Sequence, residues 1–250
     1  MILVTGGAGY IGSHSVIELH EKGYDVLIAD NFVNSTPAVI NNLKTITGKK
    51  FSFIEVDLCD YNELEKLTAN YKITGVIHFA AFKSVGESVE FPLKYYENNI
   101  QSLINVLRLC EHKKIDNMVF SSSCTVYGNP ESIPVNELTP VKKAESPYGK
   151  TKVYSEEILS DFHKTSTISI CNLRYFNPIG AHVSGLIGDF PVGKPNNLLP
   201  FVTQVAAGMR EKLSVFGDDY NTKDGSCIRD YIHVVDLAKA HVNAIDFNQK

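Results

Sequence analysis

The sequence contains no run approaching the ~18 apolar residues that a membrane-spanning helix needs. Its opening residues, MILVTGG, have neither the charged lead nor the cleavage site of a secretory signal. Basic excess is also missing: 24 Lys and Arg against 28 Asp and Glu leave a formal net charge of −4. Neither nucleic acid nor an anionic membrane is therefore expected as a partner. The lysine pairs Lys49-Lys50, Lys113-Lys114 and Lys142-Lys143 read as solvated loop charges. Five cysteines, an odd number with no CxxC spacing, argue against a disulfide framework or a zinc site and suit a reducing cytoplasm. The eight histidines show no HxxxH or HExxH spacing, so no metal is expected, and His78 within VIHFAA reads as a core or cofactor-side residue. Internal repeats and low-complexity tracts are lacking too. What remains is 250 residues with 44% apolar content, enough for a sizeable core in one large domain or one and a half, expected of a cytoplasmic globular protein.

Short apolar runs alternate with longer amphipathic ones. Strands are predicted at Ile2–Thr5, Asp25–Asp30, Phe51–Asp57, Gly75–Ala80, Asn117–Ser122 and Ile168–Arg174. Helices are predicted at Ile11–Lys22, Tyr61–Asn70, Tyr95–His112 and Tyr148–His163. Strands that are apolar throughout and separated by helices imply a parallel sheet buried on both faces, an α/β doubly wound fold whose ligands sit at the strands' carboxyl ends. Beyond Arg174 the rhythm changes. Residues Asn177–Pro200, rich in Gly and Pro, read as a long functional loop. A helix over Leu199–Lys212, a short strand over Ser214–Phe216 and a last helix over Val235–Asn248 follow. The division expected is a nucleotide-binding domain over residues 1–176 and a smaller substrate lobe over 177–250, its last helix packed back on the sheet.

The segment LVTGGAGYIG follows the first strand and opens the first helix, with Gly6, Gly9 and Gly12 in dinucleotide-binding spacing. Glycine allows the tight turn, the close approach of a pyrophosphate and the contact of helix with strand, while the helix N-terminus offers N–H groups. Asp30 ends the second strand, 18 residues beyond Gly12, where a carboxylate accepts from ribose hydroxyls and repels a 2′-phosphate. NAD is thus preferred over NADP. Asp57 at the end of the third strand, and Phe79, Ala80 and Lys83 at the end of the fourth, face the same edge.

The fifth strand delivers Ser121, Ser122 and Ser123 to that edge, and SPYGKTK follows. Ser146 is a good N-cap and Pro147 suits the first helical position, which puts Tyr148 in the first turn. Tyr148 and Lys152 then stand side by side at i, i+4. A neighbouring ammonium favours phenolate, so Lys152 is expected to lower the Tyr148 pKa, with a serine hydroxyl relaying or orienting the substrate proton. Alone, a YxxxK spacing is commonplace on helix surfaces; the glycine turn and the serine run make it an acid/base pair.

The blocks VTGGAGYIGSH, VIHFAAFKSVGESV, YYENN, FSSSCTVYG, SPYGKTK, LRYFNPIGAH, PNNLLPFVTQVA, VFGDDY and RDYIHVVDLA occur in this order along essentially the whole chain. They resemble the extended short-chain dehydrogenase/reductase superfamily and, within it, the UDP-glucose (UDP-galactose) 4-epimerases. The resemblance implies NAD-binding roles for Gly6, Gly9, Tyr10, Ile11, Gly12, Asp30, Asn31, Asn34 and Ser35. It extends them to Asp57, Leu58, Phe79, Ala80, Lys83, Asn98 and Phe176. It also implies that Tyr148 takes the proton of the sugar 4′-hydroxyl, with Ser123 bonded to that oxygen and Lys152 on the nicotinamide ribose. Asn177, Asn197, Leu198, Phe216 and Arg229 would hold the UDP-hexose, Arg229 through its diphosphate. Related dehydratases carry an acidic pair where this chain has Cys124-Thr125, which favours epimerisation over dehydration. Cys124 stands where the family usually has alanine.

Epimerases of this kind continue past the point reached at Lys250, so the C-terminal substrate lobe is expected to be incomplete. Two alternatives to a UDP-hexose 4-epimerase of galactose metabolism stay open. One is another NAD-dependent UDP-sugar epimerase or reductase of the superfamily; the other is a non-catalytic NAD-binding fragment. A homodimer through long helices such as Tyr95–His112 is the partner the family suggests.

Overall fold

The computed structural model describes residues 1–250 apart from 192, 194, 196, 249 and 250. Six parallel strands form one sheet: β1 (Ile2–Thr5), β2 (Val26–Asp30), β3 (Ser52–Glu55), β4 (Gly75–His78), β5 (Asn117–Ser121) and β6 (Ser169–Leu173). Their spatial order is β3-β2-β1-β4-β5-β6, with β1 paired to β2 through Ile2–Val26 and to β4 through Ile2–Gly75. All the pairings are parallel, as burial on both faces requires.

The two faces divide the strand residues by alternation. On one side Leu3, Leu27, Val76 and Met118 pack with α3 (Tyr61–Thr68), α5 (Pro92–Lys113) and α6 (Pro147–Thr165). On the other, Ile2, Val4, Ile28, Ile77 and Val119 meet α1 (Tyr10–Glu21), α2 (Ala38–Thr47) and α8 (Val234–Asn248). Each fully buried Leu, Ile or Val contributes roughly 1.5–3 kcal/mol of burial free energy, which is why the central strands tolerate no polar alternation. The C-terminal helix is bound into this second layer by buried polar contacts as well. Asn117 Nδ2 donates to the Ile245 carbonyl oxygen at 2.9 Å, and Asn248 Nδ2 donates to Asn117 Oδ1 at 3.0 Å.

The predicted strands lie within one to two residues of the observed ones at most ends. Two helices were not anticipated: α2, entered through Pro37 with no side-chain cap, and α4 (Val85–Glu90), six residues long and capped by Ser84 on the Glu87 N–H. The predicted long loop after Arg174 contains β7 (Asn177–Ile179), which pairs in parallel with β8 (Tyr231–His233). The strand predicted over Ser214–Phe216 is absent: these residues are exposed and pair with no neighbouring strand among the described residues. The predicted helix over Leu199–Lys212 is the shorter α7 (Leu198–Ala206), because Gly208 takes φ +71° just past its end.

Candidate active site

The reversal of strand order falls between β1 and β4, and the glycine turn sits there. Gly6 has φ +67°, and a Cβ on it would lie 2.8 Å from the Ala80 backbone nitrogen. A Cβ on Gly12 would strike the Gly6 carbonyl oxygen. The turn is therefore as close to β4 and to its own helix as backbone permits, which only glycine allows. Gly9 caps α1 without any side-chain hydrogen bond, and no acidic residue stands in the helix's first turn. A helix start without a side-chain cap or an acidic residue is suited to an anion.

Asp30 is drawn into the turn itself. Its Oδ2 accepts from Ala8 N at 3.0 Å, and its Oδ1 accepts from Phe32 N at 2.9 Å and Ser35 Oγ at 3.0 Å. Among the described residues these three bonds fill three of the carboxylate's four acceptor positions and leave one on Oδ2. Beside it lies a groove of about 610 Å³ lined by Asn31, Val33, Asp57, Cys59, Phe82, Lys94, Glu97, Asn98 and Gln101. Asn31, Asp57 and Asn98, singled out from the sequence, thus share one cavity. Asn34 is exposed on the loop above, and Ile11 is half-buried in the first turn of α1. Tyr10 donates its hydroxyl to the Gly180 carbonyl oxygen at 2.6 Å, which ties α1 to the segment after β7. Lys83 lies 4.0 Å from Asp189 of the same segment.

Leu58, next to Asp57, is buried in the core, and its carbonyl accepts from Asn105 Nδ2 at 2.8 Å. Phe79 turns its ring to His241 of α8, 4.6 Å between centroids, while Phe176 is partly exposed beyond β6.

At the other end, Ser146 accepts from Gly149 N at 3.1 Å, and Pro147 opens α6, so Tyr148 does stand in the first turn. The turn packs on a 3-10 segment, Cys124–Tyr127, which Ser123 caps by accepting from Thr125 N at 3.3 Å. Lys152 is buried and donates to the Ser121 carbonyl oxygen at 2.7 Å, with its Nζ 4.7 Å from the Phe120 ring centroid and 6.0 Å from that of Tyr148. This geometry corrects the electrostatic expectation. Burial pushes the Tyr148 phenol well above its ordinary value; Tyr175 adds to the rise and Ser123 opposes it. The ammonium does not offset burial because it is held on the Ser121 carbonyl, and its own pKa is pushed down to about 8 by desolvation.

The residues expected to hold the substrate are gathered only in part. Asn177 begins β7 and donates its Nδ2 to the Asp230 carbonyl oxygen at 2.8 Å, next to Arg229. Arg229 and Asp230 act electrostatically on the half-buried Cys124, which brings that end of β8 to the reacting edge. Arg229 itself is exposed, as are Asn197 and Leu198 at the start of α7. Phe216 is 95% exposed, and the strand expected to carry it does not form among the described residues.

Several residues of the site were not singled out from the sequence. Buried Asn99 donates Nδ2 to the Phe82 carbonyl (3.0 Å) and to Thr151 Oγ1 (3.1 Å), which links α5, the loop after β4 and α6. Tyr175 shares a 2.7 Å hydrogen bond with Ser121 Oγ. Buried Glu156 and half-buried Arg174 form an ion pair behind the serines. Only Glu156 carried a sequence signal, as the next step of the i, i+4 ladder after Lys152. Among the described residues, no group of three His, Cys, Asp or Glu is arranged to hold a metal, and no helix is long and apolar enough to cross a membrane.

The family described as the NAD dependent epimerase/dehydratase family matches residues 2–250. A bifunctional protein of Pachysolen tannophilus is 53% identical over 256 residues, covering 100% of this chain and 37% of its own length. A UDP-glucose 4-epimerase of Schizosaccharomyces pombe is 52% identical over 251 residues, 98% of this chain and 70% of its own length. The chain thus spans about a third of one relative and somewhat over two thirds of the other. The crystal structure of a UDP-glucose 4-epimerase from Bifidobacterium longum, in complex with NAD+ and UDP, matches with a TM-score of 0.95 at 48% identity, over 98% of this chain and 73% of that one.

Proposed function

The chain belongs to the NAD dependent epimerase/dehydratase family, and from its site we propose that it interconverts UDP-galactose and UDP-glucose by inverting C4′ of the hexose. The observation that carries this reading is the meeting, at one sheet edge, of a glycine cradle too tight for any Cβ with the Ser123–Tyr148–Lys152 cluster. The residues present fit NAD. The uncapped N-terminus of α1 would receive the pyrophosphate, Asp30 the adenosine ribose, and the groove at Asn31, Asp57 and Asn98 the adenine end. Bound there, NAD supplies a hydride acceptor and donor and a positively charged ring.

The chain's own residues do the rest. A carbinol centre is not inverted by moving the proton on oxygen, so C4′ has to become planar, and Tyr148 removes and returns the hydroxyl proton. Ser123 would bond to the same oxygen, and Lys152, held beside it on the Ser121 carbonyl, would bind the nicotinamide ribose. Residues 1–176 form the nucleotide-binding unit in this reading and 177–250 the sugar-nucleotide lobe. In that lobe Arg229 and Asn177 take the UDP, with Asn197, Leu198 and Phe216 along the lobe's exposed side. Firm binding of UDP with a loosely held hexose lets the planar sugar present either face. Cys124-Thr125 offers no carboxylate pair, which disfavours dehydration.

The test is incubation of the purified chain with UDP-galactose, without added NAD, while UDP-glucose is monitored. Conversion by the wild type and its loss in Tyr148→Phe with NAD retained are expected; undiminished activity in that variant removes Tyr148 from its role. A homodimer is supported by the apolar residues Val85, Val89, Phe91 and Leu93 exposed along α4 and α5, with Tyr154 on the neighbouring α6. A monomer in sedimentation at micromolar concentration excludes it.

A further inference from the structure

On α6, Tyr148, Lys152 and Glu156 follow one another at four-residue steps, so one helix face carries a phenol, an ammonium and a carboxylate. The three serines at the end of β5 are divided among them. Lys152 holds the Ser121 carbonyl oxygen at 2.7 Å, and Glu156 Oε1 accepts from Ser122 Oγ at 2.5 Å. Ser123 is left facing Tyr148. The Glu156 carboxylate is in turn gripped by Arg174, which donates Nε to Oε1 at 3.0 Å and its terminal nitrogen to Oε2 at 2.6 Å. Arg174 stacks its guanidinium 5.2 Å from the ring centroid of Tyr127, the last residue of the 3-10 segment that Ser123 caps. The carboxylate therefore touches, directly or through one neighbour, α6, the end of β5, the end of β6 and the segment that follows Ser123.

We propose that Glu156 is a positioning residue for the Tyr148–Ser123–Lys152 site, fixing Ser123 opposite Tyr148 and supplying the buried negative charge that faces Lys152. Removing the buried carboxylate leaves the half-buried Arg174 charge uncompensated, so Glu156 is not exchangeable for a neutral residue of the same shape. The groups around the Lys152 ammonium are few. On its own helix stand Tyr148 and Glu156; from β4 comes His78, and from β5 the Ser121 carbonyl and the Phe120 ring, while Tyr175 bonds to Ser121 and Arg174 to Glu156. Burial holds Tyr148 and Tyr175 protonated and neutral and holds His78 unprotonated. Glu156 is thus the anion among them, and its field raises the pKa of Lys152 against desolvation.

The inference rests on the reading of this cluster as the reacting site, so its test has a readout independent of turnover. In the cofactor-free protein, the NMR titration of 13C-labelled lysines should contain a signal with a midpoint near 8 that is absent from Lys152→Met. In Glu156→Gln that midpoint should fall by about one pH unit, and in Glu156→Asp it should stay. With the active protein, Glu156→Gln should lose at least about tenfold in kcat with KM nearly unchanged, and the alkaline limb of its kcat profile should move down with the lysine midpoint. Glu156→Asp should recover part of kcat and restore the limb.

A folded Glu156→Gln whose lysine midpoint does not move overturns the proposal, as does a loss of kcat that Glu156→Asp fails to rescue. A wild type without epimerase activity but with the expected midpoint shift refutes the proposed reaction and leaves the Glu156–Lys152 coupling standing. Should Glu156→Gln not fold, Ser122→Ala takes its place. That variant removes one donor and keeps the charge, so a severalfold loss of kcat with the limb in place is expected, and unchanged kcat overturns the positioning role.

Discussion

Three histidines lie sealed in the interior, and acid should unfold the protein through them. His14, His78 and His241 are at most 2% exposed, and desolvation lowers their pKa values from 6.5 to about 4, 3 and 4. The side chains are built to stay neutral. His14 and His241 each use Nδ1 on a helix carbonyl, of Tyr10 and Leu237, and a proton on Nε2 would find no acceptor among the described residues. His78 pairs Nδ1 with Thr5 Oγ1 at 2.7 Å and lies 6.0 Å from the Phe120 ring centroid.

A histidine whose folded pKa is depressed stabilises the fold above the unfolded value, and that stability drains away as pH falls toward the folded value. The window is therefore pH 6.5 down to about 4. By linkage each of the three costs roughly 2 kcal/mol at pH 5, together close to ~6 kcal/mol, against a typical total of ~5–15 kcal/mol. Near pH 5.5 the slope of unfolding free energy should approach ~3.5 kcal/mol per pH unit. Glu18, whose pKa is pushed up by burial, works in the opposite direction and trims the slope; Lys152 titrates near 8, above the window. The assay is urea unfolding at several pH values followed by far-UV circular dichroism, since the sequence contains no tryptophan. His241→Gln should remove about a third of the slope. A slope under ~1 kcal/mol per pH unit in the parent would falsify the assignment of these residues as neutral core histidines.

Two further outcomes are expected from substitutions away from the acid/base cluster. Gly12→Ala puts a Cβ against the Gly6 carbonyl and 2.8 Å from the Gly7 Cα, both backbone, so the turn has to open. Affinity for NADH, measured by fluorescence titration, should fall at least about tenfold, with a loss of ~1–3 kcal/mol in stability; a parent-like affinity contradicts the cradle. Asn117→Ala removes a buried donor to the Ile245 carbonyl and the acceptor for Asn248, and should cost ~1–3 kcal/mol. Hydrogen exchange should then rise first in α8, and an unchanged α8 would show that the helix is held by its apolar face alone.

The legible parts of the fold are those in which a short stretch suffices. Leu3, Val4 and their equivalents in β2 and β4 are apolar on both sides of each strand, which demands a sheet covered twice, and the helices between them demand parallel order. The Ser146-Pro147 start of α6 could be read from two residues because a cap and a fixed φ act locally. The helix α2 was hidden because its entry, NSTP, carries loop residues and its burial against the sheet is decided from afar. The strand predicted at Ser214–Phe216 failed for a related reason: β-forming residues make a strand only where an edge is present to pair with, and none reaches them among the described residues.

The site divides along the same line. Sequence alone determined that glycine must occupy the turn at Gly6–Gly12, that a carboxylate ends β2, and that Tyr148 and Lys152 share a helix face, because each is a matter of local geometry or fixed spacing. Tertiary structure decided where the charges rest. Asp30 is spent mostly on its own loop, Lys152 on the Ser121 carbonyl, and Glu156 on Ser122 and on Arg174, 18 residues further along the chain. A pKa depends on burial and on every charge within a few ångströms, and those neighbours come from four separate segments that only the folded sheet brings together.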